Sequence, residues 1–183
     1  MKKKFAEFLF RIIGWKIVGQ NQFVAKCIIV AVPHTSNWDF FYGRIYAYIV
    51  GLKPKYLAKS ELFLPIIKNI IYWNGGIPVF RNKKNDLVKL LVNKFKKNSH
   101  FQLAIAPEGT RSYVKKWKTG FYNIALSANV PIVLMKIDYK KKEIGVCGKI
   151  TPSGDYNSDI EYIQKKYHNV NAKYPNNFNK KFK

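Results

Sequence analysis

Acidic residues are scarce in this chain. Asp and Glu together number 10 against 33 Lys and Arg, which gives a formal net charge of +23 at pH 7. Codon usage in an AT-rich genome would enrich lysine and asparagine, but it would not remove acids to the same degree. The imbalance therefore predicts an anionic partner: nucleic acid, membrane lipid or a phosphorylated substrate.

Cysteine and histidine are rare as well. Cys27 and Cys147 each lie in an apolar, strand-like run, which predicts buried, reduced thiols in a cytoplasmic protein and not a disulfide. The three histidines are scattered and do not cluster with the cysteines, so the sequence predicts no metal site. His100 and His168 have no acid in a nearby turn, and we interpret both as surface residues.

Long hydrophobic runs are absent. The longest uncharged stretch, Thr119 to Met135, is interrupted by polar residues and by Pro131, which favours a helix followed by a strand over a membrane span. Glu7 and Arg11 fall inside what would be the apolar region of a signal peptide. The sequence therefore predicts neither a transmembrane segment nor an export signal.

Residues 1–20 are predicted to contain an amphipathic helix. Lysines surround apolar side chains that recur at the spacing of one helical face, namely Phe5, Phe8, Leu9, Ile12 and Ile13. Such a helix can pack on the core, or it can lie in a membrane interface with its lysines on anionic headgroups. Each basic residue near an anionic leaflet contributes about 1 kcal/mol, so a few would concentrate the protein there.

Strand-like and helix-like segments alternate along the rest of the chain. The strand-like segments are residues 27–32, 56–58, 77–80, 101–106, 132–137 and 144–150, and the helix-like ones are 38–50, 61–72, 86–97, 121–128 and 158–168. This alternation predicts a single α/β domain, residues 1–183, with a mostly parallel central sheet flanked by helices. Its core is assigned to residues 25–168, and residues 169–183 are predicted to form a loose tail.

His34 and Asp39 follow a predicted strand, just past the apolar run of residues 28–32. On one helix, residues five positions apart point about 140° apart, so the two side chains can meet only if the chain turns between them. Ser36 or Asn37 can cap a helix there, which would let the Asp39 carboxylate fold back and orient the imidazole as a general base. The same spacing also fits a capping box, in which the acid only satisfies backbone donors.

Two further blocks also follow strand-like runs. Residues 107–111 combine a glycine, a hydroxyl and an arginine suited to phosphate, and residues 75–81 end in a second arginine. A base and two arginines at strand ends predict a cleft for an anionic substrate along one edge of the sheet. No Gly-x-Ser-x-Gly turn is present, which argues against a serine hydrolase and favours direct transfer to an acceptor hydroxyl.

Four blocks, taken in order, resemble those of the glycerolipid acyltransferases, which include glycerol-3-phosphate and 1-acylglycerol-3-phosphate (lysophosphatidate) acyltransferases. The blocks are His34 to Asp39, Gly75 to Arg81, Glu108 to Arg111, and Val130 to Val133, and the resemblance spans residues 25–140. It implies transfer of a fatty acyl group from acyl-CoA or acyl carrier protein to a lipid hydroxyl at the cytoplasmic face of the membrane. No cofactor is implied besides the thioester donor.

By position, the resemblance implies that His34 is the general base and Asp39 its orienting acid. It also implies an acceptor site in which two arginines bind the phosphate, formed by Arg81, Glu108, Gly109, Thr110 and Arg111. Two positions depart from the family pattern, since Phe80 stands where many members carry a polar residue and Leu134 where a proline is common. Both bear on the identity of the acceptor more than on the chemistry.

The predicted function is acyl transfer to a lysophospholipid, with 1-acylglycerol-3-phosphate as acceptor, by a peripheral protein attached to anionic membrane lipids. An amino-acid-derived or sugar lipid is the alternative acceptor. A basic binding module without chemistry is a further alternative, but the ordered blocks argue against it, and no nucleic-acid partner is predicted. Residues 115–118, including Trp117, fit contact with headgroups or coenzyme A, and equally a solvated basic loop.

Overall fold

Seven strands and six α-helices make up the computed structural model, which describes residues 2–19, 23–80 and 84–180. The strands are β1 (Lys16–Val18), β2 (Lys26–Val32), β3 (Lys55–Lys59), β4 (Gly76–Val79), β5 (Phe101–Ile105), β6 (Ile132–Asp138) and β7 (Glu143–Ile150). The helices are α1 (Lys2–Ile12), α2 (Asn37–Val50), α3 (Lys68–Trp73), α4 (Lys84–Lys97), α5 (Gly120–Ala128) and α6 (Tyr156–Lys165). Two 3-10 turns, Ser60–Leu62 and Pro175–Asn177, complete the elements.

The strands form one sheet in the order β1-β7-β6-β2-β5-β3-β4. Every neighbouring pair is parallel except β6 and β7, so the predicted α/β domain with a mostly parallel sheet is confirmed. β2 lies in the centre, and residues 27–30 are completely or almost completely buried. Burial on both faces explains why this strand appears in the sequence as a continuous apolar run without alternation.

Helices cover both faces of the sheet. The connections from β2 to β3 and from β3 to β4 run in one direction across the sheet, whereas those from β4 to β5 and from β5 to β6 run back. Because parallel crossovers are right-handed, α2 and α3 lie on one face, and α4 and α5 on the other. Buried residues of α1 pack in the same cluster as those of α2, and buried residues of α6 in the same cluster as those of α5. We call α1, α2 and α3 the front layer, and α4, α5 and α6 the back layer.

Helix α1 is shorter than the predicted segment of residues 1–20. It ends at Ile12, and the edge strand β1 follows it. Ala6 and Phe10 are buried against the core, whereas Phe5, Phe8 and Ile12 are exposed. The side of α1 that packs against α2 is therefore the one with Ala6 and Phe10, and much of the predicted apolar face is exposed. Within the described residues, no helix is long and apolar enough to cross a membrane.

The single helix predicted over residues 61–72 is wrong. A 3-10 turn, Ser60–Leu62, and the short α3, Lys68–Trp73, occupy this region. Pro65 lies between them, and proline in a helix interior removes a backbone donor and clashes with the preceding turn.

Cys27 and Cys147 are free thiols as predicted, and burial raises the pKa of each to about 11.

The prediction of a loose tail is wrong for residues 169–180. Val170, Ala172 and Phe178 are buried in the core under the back layer. The backbone N–H of Tyr174 donates to Thr35 Oγ1 at 3.3 Å, which fastens the segment to the loop after β2. Because its apolar residues are few and separated by Asn and Lys, composition alone suggested a solvated chain.

Candidate active site

The turn between β2 and α2 brings His34 and Asp39 together. Ser36 has an extended backbone and caps α2, and its Oγ accepts a hydrogen bond from the Trp38 N–H at 3.2 Å. Asp39 Oδ2 accepts in return from the Ser36 N–H at 2.8 Å, which completes a capping box. The chain thus reverses between the strand and the helix, as a contact between residues five positions apart requires.

Asp39 serves the cap and faces the histidine at once. His34 Nδ1 lies 3.3 Å from Asp39 Oδ2, the same oxygen that accepts from the Thr35 N–H at 2.7 Å. The Asp39 side chain is 4% exposed and that of His34 29%. The two sequence interpretations of Asp39 are therefore not alternatives, because one carboxylate fixes the helix start and the position of the imidazole.

Tyr139 is a site residue that the sequence analysis missed. It follows β6, and its hydroxyl donates to Asp39 Oδ1 at 2.5 Å. Burial, and then this hydrogen bond to Asp39, raise the pKa of the Tyr139 hydroxyl well above its usual value. The phenol is therefore a neutral donor that holds the second carboxylate oxygen. No sequence motif marks it, although its place at the end of a central strand was a usable signal.

Glu108 connects the third block to the first. It follows β5 and is buried, and its Oε1 accepts a hydrogen bond from the His34 N–H at 3.0 Å. Burial is the main cause that raises the pKa of the Glu108 carboxyl from 4.5 to about 7. Oε2 is buried and has no hydrogen-bond partner within the described residues. The structure therefore places Glu108 beside the histidine loop, as a support for its backbone.

Arg111 also lies beside the first block. Its guanidinium donates a hydrogen bond to Asn37 Oδ1, in the first turn of α2. Gly109 adopts a φ of +64°, which forms the turn between Glu108 and Arg111. Thr110 is exposed, and its hydroxyl accepts from the Ser112 N–H at 3.3 Å. A guanidinium beside the positive end of a helix suits an anionic group.

Lys118 is a further cation near this turn. A Cβ atom built at Gly109 would lie 2.5 Å from Lys118 Nζ, so the lysine side chain covers the glycine. Its neighbour Trp117 is buried and packs on Phe121 and Tyr167, which excludes the predicted contact of Trp117 with headgroups. The basic loop therefore contributes its last lysine to the site and its tryptophan to the core.

Arg81 lies outside the described residues, and its role stays a prediction. Phe80 directly precedes it and is 54% exposed after β4. Among the described residues, no group of three or more histidines, cysteines or acids is placed to hold a metal ion.

An apolar cavity of about 160 Å³ extends from the site beneath α2. His34 and Asp39 line it at the N-terminal end of the helix, and Leu52 and Pro54 line it past the C-terminal end. Its floor and walls come from the front face of the sheet and from α2, including Ile29, Ala31, Phe40, Gly43, Tyr56, Ala104, Met135 and Ile137. At Gly43, a Cβ atom would meet nothing within 4 Å, so the glycine leaves room along the helix.

A family of known proteins matches this chain in sequence, and a solved structure matches it in fold. The sequence model of the Acyltransferase family matches residues 15–137, about two thirds of the chain. The crystal structure of the 1-acyl-sn-glycerophosphate (LPA) acyltransferase PlsC from Thermotoga maritima is similar in fold, with a TM-score of 0.63 and 19% sequence identity over 90% of this chain and 74% of that one. A search of curated proteins finds no match. The chain therefore belongs to the acyltransferase family, which confirms the resemblance of its four ordered blocks.

Proposed function

We propose that this acyltransferase moves a fatty acyl group from acyl-CoA or acyl carrier protein to the hydroxyl of a lysophospholipid, with 1-acylglycerol-3-phosphate as acceptor. The observation that carries the proposal is the contact between His34 Nδ1 and Asp39 Oδ2 at the head of an apolar cavity. The similar fold of PlsC, a 1-acyl-sn-glycerophosphate acyltransferase, supports the choice of acceptor.

His34 acts as the general base in this proposal. Asp39 faces Nδ1, which leaves Nε2 to accept the proton of the acceptor hydroxyl. The hydroxyl oxygen then attacks the thioester carbonyl, and a carbon–oxygen bond forms. The carbon–sulfur bond breaks as the intermediate collapses, and the leaving thiolate takes the proton from the imidazolium. The products are an ester and a free thiol, and the histidine returns to its starting state.

The cavity beneath α2 suits the acyl chain of the donor. Its lining is mostly apolar, with the polar His34 and Asp39 at one end and Arg44, which hydrogen-bonds the Pro54 carbonyl, towards the other. An acyl chain lying there would place its carbonyl carbon next to the histidine, where the hydroxyl attacks. Bound apolar chains gain about 0.8 kcal/mol for each buried methylene, so a cavity of this kind contributes both affinity and position.

The cations beside the histidine suit the phosphate of the acceptor. Arg111 is held at the start of α2 by Asn37, and the Lys118 side chain lies over Gly109. A phosphate bound by these groups would leave the glycerol hydroxyl within reach of His34. Arg81 is the further phosphate ligand that the sequence resemblance implies.

Attachment to anionic membrane lipids is part of the proposal. Phe5, Phe8 and Ile12 of α1 are exposed and lie on a helix that also carries exposed Lys3 and Lys4. An apolar helix side next to lysines is typical of a helix lying in the interface of an anionic leaflet. A peripheral enzyme of this kind would take its lysolipid directly from the bilayer.

Acyl transfer to 1-acylglycerol-3-phosphate in mixed micelles, with labelled acyl-CoA and acyl carrier protein supplied separately, tests the function. We expect turnover with at least one donor and a loss of about 10²- to 10⁴-fold in kcat for His34→Ala. His168→Ala is the matched control, because this histidine is exposed and distant in sequence from the blocks. A folded His34→Ala variant with full activity would contradict the mechanism.

The acceptor is tested by removing its phosphate. A monoacylglycerol offers the same hydroxyl without the anionic group, and we expect a much lower kcat/KM for it. Arg111→Ala should reduce the difference in kcat/KM between the two acceptors, because the variant has lost a cation that only the phosphate contacts. An equal effect of this substitution on both acceptors would argue for a different acceptor.

A further inference from the structure

The segment between β3 and β4 exposes an unusual amount of apolar surface. Residues 62–73 begin at the last residue of the 3-10 turn and include α3. Exposed large hydrophobic side chains in this segment are Leu62, Leu64, Ile66, Ile67, Ile70, Tyr72 and Trp73. Ile66 is 90% exposed and Trp73 is 73% exposed. Folding alone does not explain side chains of this size held in water, and exposed patches of this kind mark interaction surfaces.

This segment belongs to the same face of the molecule as the cavity. Tyr56 packs edge-on against Phe40 of α2, with ring centroids 4.8 Å apart, and its hydroxyl hydrogen-bonds Asn74 at the end of α3. Tyr56 and Phe40 both line the cavity. The segment and α2 are therefore neighbours in the front layer, joined through residues that form the cavity wall.

The exposed side chains of the front layer continue beyond this segment. Trp38, Phe40 and Phe41 are exposed on α2, and Phe5, Phe8 and Ile12 on α1. On the helices of the back layer, by contrast, the exposed large hydrophobic residues among those described are isolated: Leu90, Leu126 and Tyr162. Apolar exposure is thus concentrated on one side of the sheet.

Charge identifies the partner that fits this side. Lys53, Lys55, Lys59 and Lys68 are exposed on and around the segment, against the single acid Glu61. Apolar side chains with a tryptophan and a tyrosine, surrounded by lysines, match the boundary between headgroups and acyl chains of an anionic leaflet. A partner protein would instead leave an interface poor in lysine at its centre.

We propose that residues 62–73 insert into an anionic bilayer, as a second membrane contact besides α1, and that this contact sets the cavity wall against the lipid surface. The inference rests on the proposed function, because lipid substrates give the contact its purpose. Lipid could then pass between the bilayer and the cavity beside Phe40 and Tyr56 without crossing water.

Vesicle binding without substrates tests the insertion. The double variant Ile66→Gln, Ile70→Gln should bind vesicles of phosphatidylcholine and phosphatidylglycerol in equal parts at least about tenfold more weakly than the unaltered chain, because two apolar anchors are lost. The matched control is Leu90→Gln, Leu126→Gln on the back layer, which should bind normally. Brominated lipids should quench tryptophan fluorescence in the unaltered chain, and Trp73→Phe should remove most of that quenching.

Equal binding by both double variants, or quenching that Trp73→Phe leaves unchanged, would overturn the inference. A different partner would also overturn it. If sedimentation shows a dimer, and the double variant Ile66→Gln, Ile70→Gln dissociates that dimer but binds vesicles normally, then a second copy of the chain covers this surface. These binding measurements do not depend on enzyme activity, so this inference can fail or succeed independently of the proposed function. If turnover is found, the front-layer double variant should keep its activity on a water-soluble short-chain acceptor and lose it on vesicles.

Discussion

The Tyr139 hydroxyl donates to Asp39 Oδ1 at 2.5 Å, so residues 100 positions apart in the chain share one carboxylate. The other oxygen of that carboxylate accepts two backbone N–H groups and faces His34. Oδ1 thus accepts one hydrogen bond and Oδ2 two, and the imidazole is held through a carboxylate whose rotation would break all three. In the proposed mechanism, Tyr139 acts on the histidine through Asp39 and is a positioning residue.

Tyr139→Phe removes that donor and keeps the ring. We expect a loss of about 1–3 kcal/mol in the free energy of unfolding, because Asp39 Oδ1 stays buried without a partner. Asp39 would also hold the imidazole less firmly, so kcat should fall while KM changes little. Tyr113→Phe, at an exposed tyrosine, is the control. A lower stability with an unchanged kcat would reduce Tyr139 to a purely structural role.

Glu108→Gln tests the cost of the buried acid. Burial raises the pKa of Glu108 to about 7, so the folded state holds its proton at a pH where the unfolded chain releases it. Folding therefore loses stability as the pH rises from about 4.5 to about 7, and the loss remains above that. Glutamine keeps the acceptor for the His34 N–H and never ionises. We expect the variant to equal the unaltered chain in stability near pH 4 and to exceed it by about 1–3 kcal/mol at pH 8.

Urea unfolding at both pH values measures this difference. A difference that does not change with pH would mean that Glu108 ionises in the folded protein as readily as in the unfolded chain.

Gly43→Leu tests whether the cavity holds the acyl chain. A side chain there would enter open space along α2, so folding should tolerate it. We expect kcat/KM for long-chain donors to fall by about 10- to 200-fold, since each methylene excluded from an apolar pocket costs about 1–3 kcal/mol. Donors with short chains should be little affected. Gly43→Ala is the control, and it should raise stability by about 0.5–1 kcal/mol because glycine is unfavourable inside a helix.

A uniform loss across all chain lengths would instead place the acyl group elsewhere.

Gly109→Ala tests the turn that carries the arginine block. The φ of +64° is strained for alanine, at a cost of about 1–2 kcal/mol. The new methyl group would also meet the Lys118 side chain. In a Lys118→Ala background only the backbone strain remains, so the loss of thermal stability caused by Gly109→Ala should be smaller there. Equal losses in both backgrounds would show that Lys118 moves aside freely.

The sequence was informative where local chemistry decides the structure. Short-range rules predict the helix cap at Ser36, the strand of residues 28–32 and the turn at Gly109. These features in turn fix where His34 and Glu108 lie. The α/β alternation followed from the same rules. The blocks also identified the family, which no composition argument could have done.

Long-range packing decided what the sequence did not reveal. Tyr139 is one of many tyrosines, and only the pairing of β6 with β2 places it near Asp39. β1 has three residues, two of them exposed, and it forms because the edge of β7 is available. Some apolar residues of α1 are buried and others are exposed. Its contact with α2 determines which side is buried, and the periodicity of its own sequence does not.

The docking of residues 171–174 has a consequence for biosynthesis. Tyr174 donates to Thr35, and the Tyr139 N–H donates to the Asn171 carbonyl, so residues 171–174 brace the loop of His34 and the strand end of Tyr139. A nascent chain synthesised only to residue 168 would already contain every family block, yet both braces would still be missing. In the proposed mechanism, the site would therefore be fully braced only after residues 171–174 leave the ribosome.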